Sequence, residues 1–194
     1  QHAERLTGFR FEYLPVNHTR RVQVTQFEHP ITRGLAGDLV FGGPLAYGPM
    51  LFPADGVRLG LAWTKQARDL AGLAVKGFGR GARGEGRPGR RGPGDWASVF
   101  VTAAPLPAEL WRNLARYAGA HVYCETNDVL LADSSVVALH SIRGGAKRIA
   151  LPGRYAVDDV VSGRVVSEGT REIRFRLRAP ATRVFRLRRP RGRV

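Results

Sequence analysis

One stretch, residues 98–124, constrains the fold of this chain more than any other. Ser98–Ala104 is an apolar run rich in β-branched and aromatic residues, which suits a buried strand. Ala108–Ala118 then has the apolar spacing of an amphipathic helix, with a proline at its start and a glycine just past its end. Ala120–Cys124 again suits a short strand. Strand, helix and strand in this order predict a right-handed βαβ crossover with parallel strands.

The predicted helix has one apolar face, and we expect this face to be buried. Its members recur at the spacing of one helix side: Leu110, Trp111, Leu114, Tyr117 and Ala118. Leu114 lies at the centre of the face. Upstream, Arg21–Phe27, Val57–Trp63 and Leu70–Val75 have the composition and alternation of strands. Together with the crossover, they predict an α/β domain over residues 1–124.

The pattern changes near Glu125. Short runs that alternate polar and apolar residues follow one another, separated by clusters of Gly, Asn, Asp, Ser and Pro. The alternation is strictest in Glu172–Leu177 and Thr182–Leu187. This pattern predicts a small antiparallel β domain, a β-sandwich, over residues 125–187, followed by a basic tail at residues 188–194.

The chain is strongly basic, with 31 Lys and Arg against 16 Asp and Glu and a net charge of +15. Nearly all the excess is arginine. A partner that is a polyanion, such as nucleic acid, is one interpretation; a genome that favours arginine codons over lysine codons is the other. The densest run, residues 80–94, holds five arginines and six glycines and predicts a mobile loop, a solvated hairpin insertion between two strands. Its arginines are the candidates for polyanion binding: Arg80, Arg83, Arg87, Arg90 and Arg91.

Several kinds of chemistry have no motif in this sequence. A single cysteine, Cys124, excludes an internal disulfide, and the five histidines lack the short spacings of a zinc site. No glycine-rich loop joins a strand to a helix, so we predict no metal and no cofactor. No apolar run is long enough to cross a membrane. The N-terminus has neither an initiator Met nor a signal pattern, so we expect a cut from a longer chain, and the localisation stays open between cytoplasmic and exported bacterial protein.

Three carboxylates, Glu125, Asp128 and Asp133, follow the second predicted strand of the crossover. Two of them could serve as the acid and the nucleophile of a glycosidase, because ligands bind at the carboxyl ends of parallel strands. Their positions in turn-like sequence favour the alternative, caps for backbone N–H groups. Cys124 lacks the small neighbours of a nucleophile elbow, and we expect an ordinary thiol. We expect turn or edge roles for Asp158 and Asp159.

Two longer runs carry a family resemblance. Leu106–Leu130 resembles the end of the glutamine-amidotransferase-like domain of bacterial glycoside hydrolases, which is called the trimerisation domain in β-galactosidases of family 42. Ala132–Leu187 resembles the small C-terminal β domain that follows it, and Glu28–Leu35 is similar to a run in the wider amidotransferase-like group. The resemblance implies a partial flavodoxin-like α/β domain whose N-terminal part is missing, then an antiparallel β-sandwich. No catalytic barrel is present, so no catalytic residue can be transferred.

The resemblance implies a non-catalytic C-terminal region of a glycoside-hydrolase-like protein. Such a region would pack against a catalytic barrel of the same or a partner chain, mediate homo-oligomer contacts, or shape a carbohydrate site. The aromatic candidates for sugar contact are Phe41, Tyr47, Phe52 and Trp63, although core packing is the favoured interpretation for most of them. Two other hypotheses stay open at this point, namely a nucleic-acid-binding module that uses the loop and tail arginines, and a stand-alone hydrolase that uses Glu125 with Asp128 or Asp133.

The composition of residues 80–94 predicts that this loop is dispensable for folding. We expect that replacing it with a short Gly-Ser turn leaves a soluble protein that melts cooperatively, because the loop has no side chain larger than alanine to add to an apolar core. Circular dichroism melting of the replaced and parent chains provides the measurement. Loss of cooperative melting in the replaced chain would contradict the prediction.

Overall fold

The computed structural model describes residues 2–15, 17–64, 69–79 and 95–189. The chain forms two compact units, Gln1–Ala118 and Gly119–Val194. About half of the part of the chain that the structure describes (52%) is strand, and only 10% is helix. Every strand pair among the described residues is antiparallel. The predicted flavodoxin-like α/β domain is therefore wrong, since that fold needs parallel strands joined by helices.

The first unit is built on a five-stranded sheet with the order β3-β2-β5-β6-β7, and β1 and β4 form a separate two-stranded sheet. Its elements are α1 (His2–Thr7), β1 (Phe11–Leu14), β2 (His18–Val24), β3 (Val40–Tyr47), β4 (Met50–Pro53), β5 (Val57–Ala62), β6 (Ala71–Phe78), β7 (Trp96–Val101) and α2 (Ala108–Tyr117).

Strand β6 carries core residues on both of its faces. Leu73 and Val75 belong to the cluster that includes Leu110 of α2, whereas Ala74 packs with Phe9 of the N-terminal segment. Because both faces of β6 are buried, its sequence is apolar at successive positions, Ala-Gly-Leu-Ala-Val, and does not alternate with polar residues. The N-terminal segment and α2 thus cover opposite sides of the same strand.

Gly72 allows β6 to pack closely against its neighbours. A Cβ atom at this position would lie 2.8 Å from the backbone nitrogen of Ala62 and 2.7 Å from Cγ2 of Val22. Val22 is fully buried. A glycine is therefore required here for the close approach of backbone and side chain rather than for a turn.

Helix α2 exists, but the βαβ crossover around it does not. The helix begins after Pro107, and Gly119, two residues past its end, has the positive φ of +79° that favours glycine. Strand β7, however, pairs antiparallel with β6. The segment 120–124 is not a strand. An apolar run predicts that a strand is buried but not which strand it pairs with, and this is where the sequence interpretation failed.

The second unit is one five-stranded antiparallel sheet with the order β11-β10-β12-β9-β8, rather than the two packed sheets of the expected sandwich. Its strands are β8 (Val129–Ala132), β9 (Val136–Ser141), β10 (Gly145–Asp159), β11 (Val165–Leu177) and β12 (Ala181–Arg188). Strand β10 pairs with β11 along most of its length and with β12 only near its end. Register shifts between Ala150 and Tyr155 interrupt the β10–β11 ladder. Arg188, assigned to the tail from sequence, is the last residue of β12.

The described helices are too short and too polar for any of them to span a membrane.

Packing of α2 generates a stability prediction. Leu110 is fully buried, Leu114 is only half-buried, and Trp111, expected on the same buried face, is 59% exposed. We expect Leu110→Ala to lower the free energy of unfolding by about 2–5 kcal/mol because it leaves a cavity in the helix-side core. Trp111→Ala is the control and should change stability by less than about 1 kcal/mol. Urea unfolding measures both, and equal losses in the two variants would contradict this packing.

Candidate functional site

The second unit contains a groove with a volume of about 530 Å³. Residues 122–126, which precede β8, form one wall, and the adjacent strands β10 and β11 form the other. Aromatic and charged side chains line it together: Tyr123, Glu125, Arg148, Arg174 and Phe175. A solvent-open groove with this mixture has the composition of a site for a polar ligand that also presents an apolar face.

Hydrogen bonds to β10 fix the wall that carries Tyr123. The Ala150 N–H donates to the Tyr123 carbonyl oxygen at 2.8 Å, and Nε2 of His121 lies 2.9 Å from the Ala150 carbonyl oxygen. The rings of His121 and Tyr123 meet edge to face, with centroids 4.6 Å apart. The segment therefore follows β10 without being a strand, and the Tyr123 ring contacts the His121 ring and packs partly against the core cluster of this unit.

The other wall carries two arginines that share one carboxylate. Arg148 on β10 and Arg174 on β11 are directly opposite each other in the ladder. Each donates through its Nε to a different oxygen of Glu172. The hydrogen bonds from Arg174 and Arg148 hold the pKa of Glu172 below its usual range. Both guanidinium groups stay largely exposed, 64% for Arg148 and 77% for Arg174, so their remaining N–H groups face solvent.

Beneath the groove lies a buried ion pair between Asp128 and Lys147. The Lys147 Nζ donates to Oδ2 of Asp128 at 2.7 Å, and both side chains are less than a tenth exposed. Burial alone would raise the pKa of Asp128, but hydrogen bonds from Lys147, Ser141 and Thr126 outweigh it and lower this pKa to about 2. Asp128 is therefore ionised and fully engaged in the fold, a structural role rather than that of a glycosidase acid.

The thiol of Cys124 is part of the same network. Thr126 Oγ1 donates its proton to Asp128 at 2.5 Å, and it lies 2.9 Å from Cys124 Sγ. Because that hydroxyl proton is already used, the oxygen accepts a hydrogen bond from the thiol. This arrangement agrees with the expectation of an ordinary thiol.

The three candidate carboxylates do not act as a set. Asp133 accepts from the backbone N–H groups of Ser135 and Val136, at 2.6 and 2.8 Å, and caps the turn before β9. These backbone hydrogen bonds lower its pKa. Of the three, only Glu125 lines the groove. The expectation that they follow a parallel strand is wrong, because the segment before them is not a strand and the sheet is antiparallel.

Asp158 and Asp159 both have structural roles. Asp158 accepts two hydrogen bonds from Arg188, both at 2.8 Å. Asp159 accepts from the backbone N–H groups of Val161 and Ser162 in the turn after β10, and from Arg183. The pKa of each carboxyl is lowered, by Arg188 for Asp158 and chiefly by the Ser162 N–H for Asp159. The expected turn role is confirmed for Asp159. Asp158 lies within β10, which pairs there with both β11 and β12, so the turn or edge role expected for Asp158 is wrong.

The aromatic candidates from the sequence lie in the first unit and do not form one site. Phe41 and Phe52 are buried in two different clusters. Tyr47 and Trp63 are 44% and 42% exposed, and Arg21 lies over the Trp63 ring at 5.7 Å. The sequence reasoning missed Tyr123, Arg148 and Arg174. The strict alternation of Glu172–Leu177, which places Arg174 on the face opposite the core, was the signal that could have found part of the groove.

The loop arginines Arg80, Arg83, Arg87, Arg90 and Arg91 lie outside the described residues, so nucleic-acid binding through them stays a prediction. Near the loop, Phe78 on β6 and Trp96 on β7 stack with centroids 4.0 Å apart. The first unit also has a smaller depression of about 340 Å³, beside Asp55 and Arg58. Asp55 is tied to Lys76 and Arg10 there. No cluster of three or more side chains suited to a metal ion occurs in the part of the chain that the structure describes.

A scan against protein-family models gave no match for this chain, and a search of curated proteins gave none.

The buried ion pair generates a prediction about stability. Asp128→Asn leaves the Lys147 ammonium group buried without its charge partner, and we expect a loss of about 3–5 kcal/mol in the free energy of unfolding. The double variant Asp128→Asn with Lys147→Met removes both charges and should recover a large part of that loss. Urea unfolding at pH 7 measures both, and a double variant no more stable than the single one would contradict the role of the pair.

The same pair makes stability depend on pH. The pKa of Asp128 falls from an ordinary 3.8 to about 2 in the folded protein. The pair therefore stabilises the fold fully above about pH 4, and this contribution of roughly 2 kcal/mol is lost as the pH falls towards 2. We expect Asp128→Asn to lack this part of the acid dependence, whereas Glu125→Gln should retain it.

Proposed function

We propose that this chain is a non-catalytic accessory region of a carbohydrate-active, glycoside-hydrolase-like protein, and that the groove of its second unit binds saccharide. The single observation that carries the proposal is the placement of Tyr123 beside the pair Arg148 and Arg174 in one open groove. The resemblance of Leu106–Leu130 and Ala132–Leu187 to glycoside-hydrolase C-terminal regions implies the same function, although the flavodoxin-like fold that it also implies is wrong. A catalytic barrel on the same or a partner chain, and assembly into a homo-oligomer, belong to the same proposal.

The groove offers what recognition of a sugar requires. A pyranose ring has an apolar C–H face and a rim of hydroxyl groups. An aromatic ring buries the apolar face, and the main chain at Tyr123 is held to β10 by the Ala150 N–H. Guanidinium groups donate several hydrogen bonds in a fixed plane, which suits neighbouring hydroxyl groups, and those of Arg148 and Arg174 are exposed.

The carboxylates argue against hydrolysis by this chain. A glycosidase needs two carboxyl groups about 5–5.5 Å apart for retention, or about 6.5–9.5 Å apart for inversion, with a raised pKa on the acid. Asp128 and Asp133 instead have lowered pKa values and are held by hydrogen bonds within the fold. Glu125 alone of the three candidates faces the groove. We therefore assign a binding role to the groove and no catalytic residue to the chain.

Affinity gel electrophoresis with a panel of neutral and acidic plant polysaccharides tests the binding. We expect retardation by at least one polymer, and a loss of about tenfold or more in affinity for Tyr123→Ala, because the stacking ring is gone. Tyr47→Ala, an exposed tyrosine of the first unit, is the matched control and should bind as the parent does. Melting curves establish that each variant is folded, and Arg148→Gln provides a second groove variant whose side chain is exposed.

Two results would contradict this function. One is the absence of retardation by every polymer of the panel. The other is turnover of aryl galactosides or glucosides between about pH 4 and 8 that disappears in Glu125→Gln, since this would make the groove a catalytic site.

A further inference from the structure

Strand β11 places arginines in a row on the exposed face of the second sheet. Ile173 and Leu177 belong to the core cluster and Phe175 packs against it, so Arg174 and Arg176 point to the other face. Successive residues on one face of a strand are roughly 7 Å apart. Strand β11 is also an edge of the sheet, so one long side of this row is open.

The adjacent strand extends the row and keeps it accessible. On β10, Arg148 is directly opposite Arg174, and Ala146 is directly opposite Arg176. Ala150 follows Arg148 on the same face. Small residues on both sides of Arg148 leave the guanidinium groups uncovered, and Arg148 and Arg174 are exposed by about two thirds and three quarters. We define the anionic-ligand face as Arg148, Arg174 and Arg176.

The arrangement of this face is unfavourable for the sheet itself. Like charges directly opposite each other destabilise an antiparallel pair. One carboxylate, Glu172, accepts hydrogen bonds from both Arg148 and Arg174. Arg176 has no ion pair with any residue in the described ranges. Two guanidinium groups therefore share the Glu172 carboxylate, and Arg176 adds a third positive charge to the same face. Glu125 is the other acidic residue among those that line the groove.

We propose that this face selects an acidic saccharide, a chain whose sugars carry carboxylate or sulfate groups. The inference rests on the proposed function and specifies its ligand class. Guanidinium forks bind carboxylate and sulfate oxygens in pairs of parallel hydrogen bonds. An anionic chain laid along β11 meets Arg174 and Arg176 in succession and turns the repulsion between Arg148 and Arg174 into attraction. The Tyr123 ring, in the groove with Arg148 and Arg174, receives the sugar ring between two such groups.

Nucleic acid is the other linear polyanion, and the aromatic residues of this unit disfavour it. Proteins that bind single strands combine a basic groove with aromatic rings on which successive bases stack. In the described part of this unit, Phe175 and Phe185 pack on each other at 5.1 Å in the core, and Tyr155 packs against the same core. Tyr123 packs partly against this core as well. Tyr123 and Phe175 are the aromatic residues among those that line the groove, whereas a row of stacked bases needs several exposed rings.

The test compares one acidic polymer, polygalacturonate, with its fully methyl-esterified form and with a neutral galactan, by affinity gel electrophoresis at about 0.15 M salt. The variants are Arg174→Gln, Arg176→Gln and the double variant. Arg164→Gln is the matched control, since it removes the same charge from an exposed arginine in the turn at the other end of the β10–β11 hairpin. A single-stranded polyuridylate is the competitor.

We expect polygalacturonate to bind at least tenfold more tightly than either uncharged polymer. The double variant should lose most of this preference, whereas Arg164→Gln should change the affinity less than twofold. Three results would overturn the inference: equal binding of the galactan, equal losses in Arg164→Gln and Arg176→Gln, or tighter binding of polyuridylate. Equal binding of the galactan that still depends on Tyr123 would leave the proposed function standing, whereas no binding of any saccharide would remove both.

Discussion

A buried ammonium group needs a carboxylate beside it, and in the second unit this requirement determines where the chain lies before the sheet begins. Lys147 is on the core side of β10, and Asp128 pairs with it at 2.7 Å. Because Asp128 is only one residue before β8, the pair holds the segment 120–128 against β10. Thr126 and Cys124 join the same hydrogen-bond network. The groove exists because this segment is held to β10 at Tyr123 and again at Asp128.

The two faces of β10 hold positively charged residues in different environments. On the core side Lys147 is enclosed and paired, and its contribution is to the fold. On the outer side Arg148, one residue later, is exposed and shares its carboxylate with Arg174. Alternation along a strand makes this possible, because neighbouring residues face opposite environments. The structural ion pair and the proposed ligand contact are therefore adjacent in sequence yet independent in role, so each can be changed without the other.

Local features of the fold could be predicted from the sequence, and pairing partners could not. The position of α2, with Pro107 before it and Gly119 beyond it, is confirmed because helix ends depend on nearby residues. The runs assigned to β5, β6 and β11 are strands for the same local reason. The parallel pairing predicted for β7 in a βαβ crossover was wrong, whereas the hairpin predicted between the strands on either side of residues 80–94 agrees with the antiparallel pairing of β6 and β7. Trp111 was placed on the buried face by its spacing, but it is 59% exposed, whereas Leu110 is buried and Leu114 and Tyr117 pack partly against the same core.

The candidate site was harder to predict, because its contacts join distant residues. Asp128 could be seen as a carboxylate in a turn, but its partner Lys147 is 19 residues away and on another strand. Arg148 and Arg174 are 26 positions apart and meet only through the register of β10 with β11. The aromatic candidates Phe41 and Phe52 looked available because their neighbours are glycines and prolines, and instead they fill two cores. A burial pattern along one strand is readable from sequence, whereas register between strands depends on the whole sheet.

The excess of arginine has two possible origins, a composition bias and a requirement for binding. A composition bias places arginine at many surface positions. Some of these arginines form ion pairs with nearby carboxylates, as Arg188 does with Asp158. Such a bias does not explain why Arg148 lies directly opposite Arg174. The same number of arginines could occupy surface positions where the two positive charges are far apart. Two like charges at opposed positions destabilise a sheet, so their presence there indicates a requirement for binding. By this argument the anionic-ligand face, rather than the net charge of +15, is the part of the arginine content that bears on function.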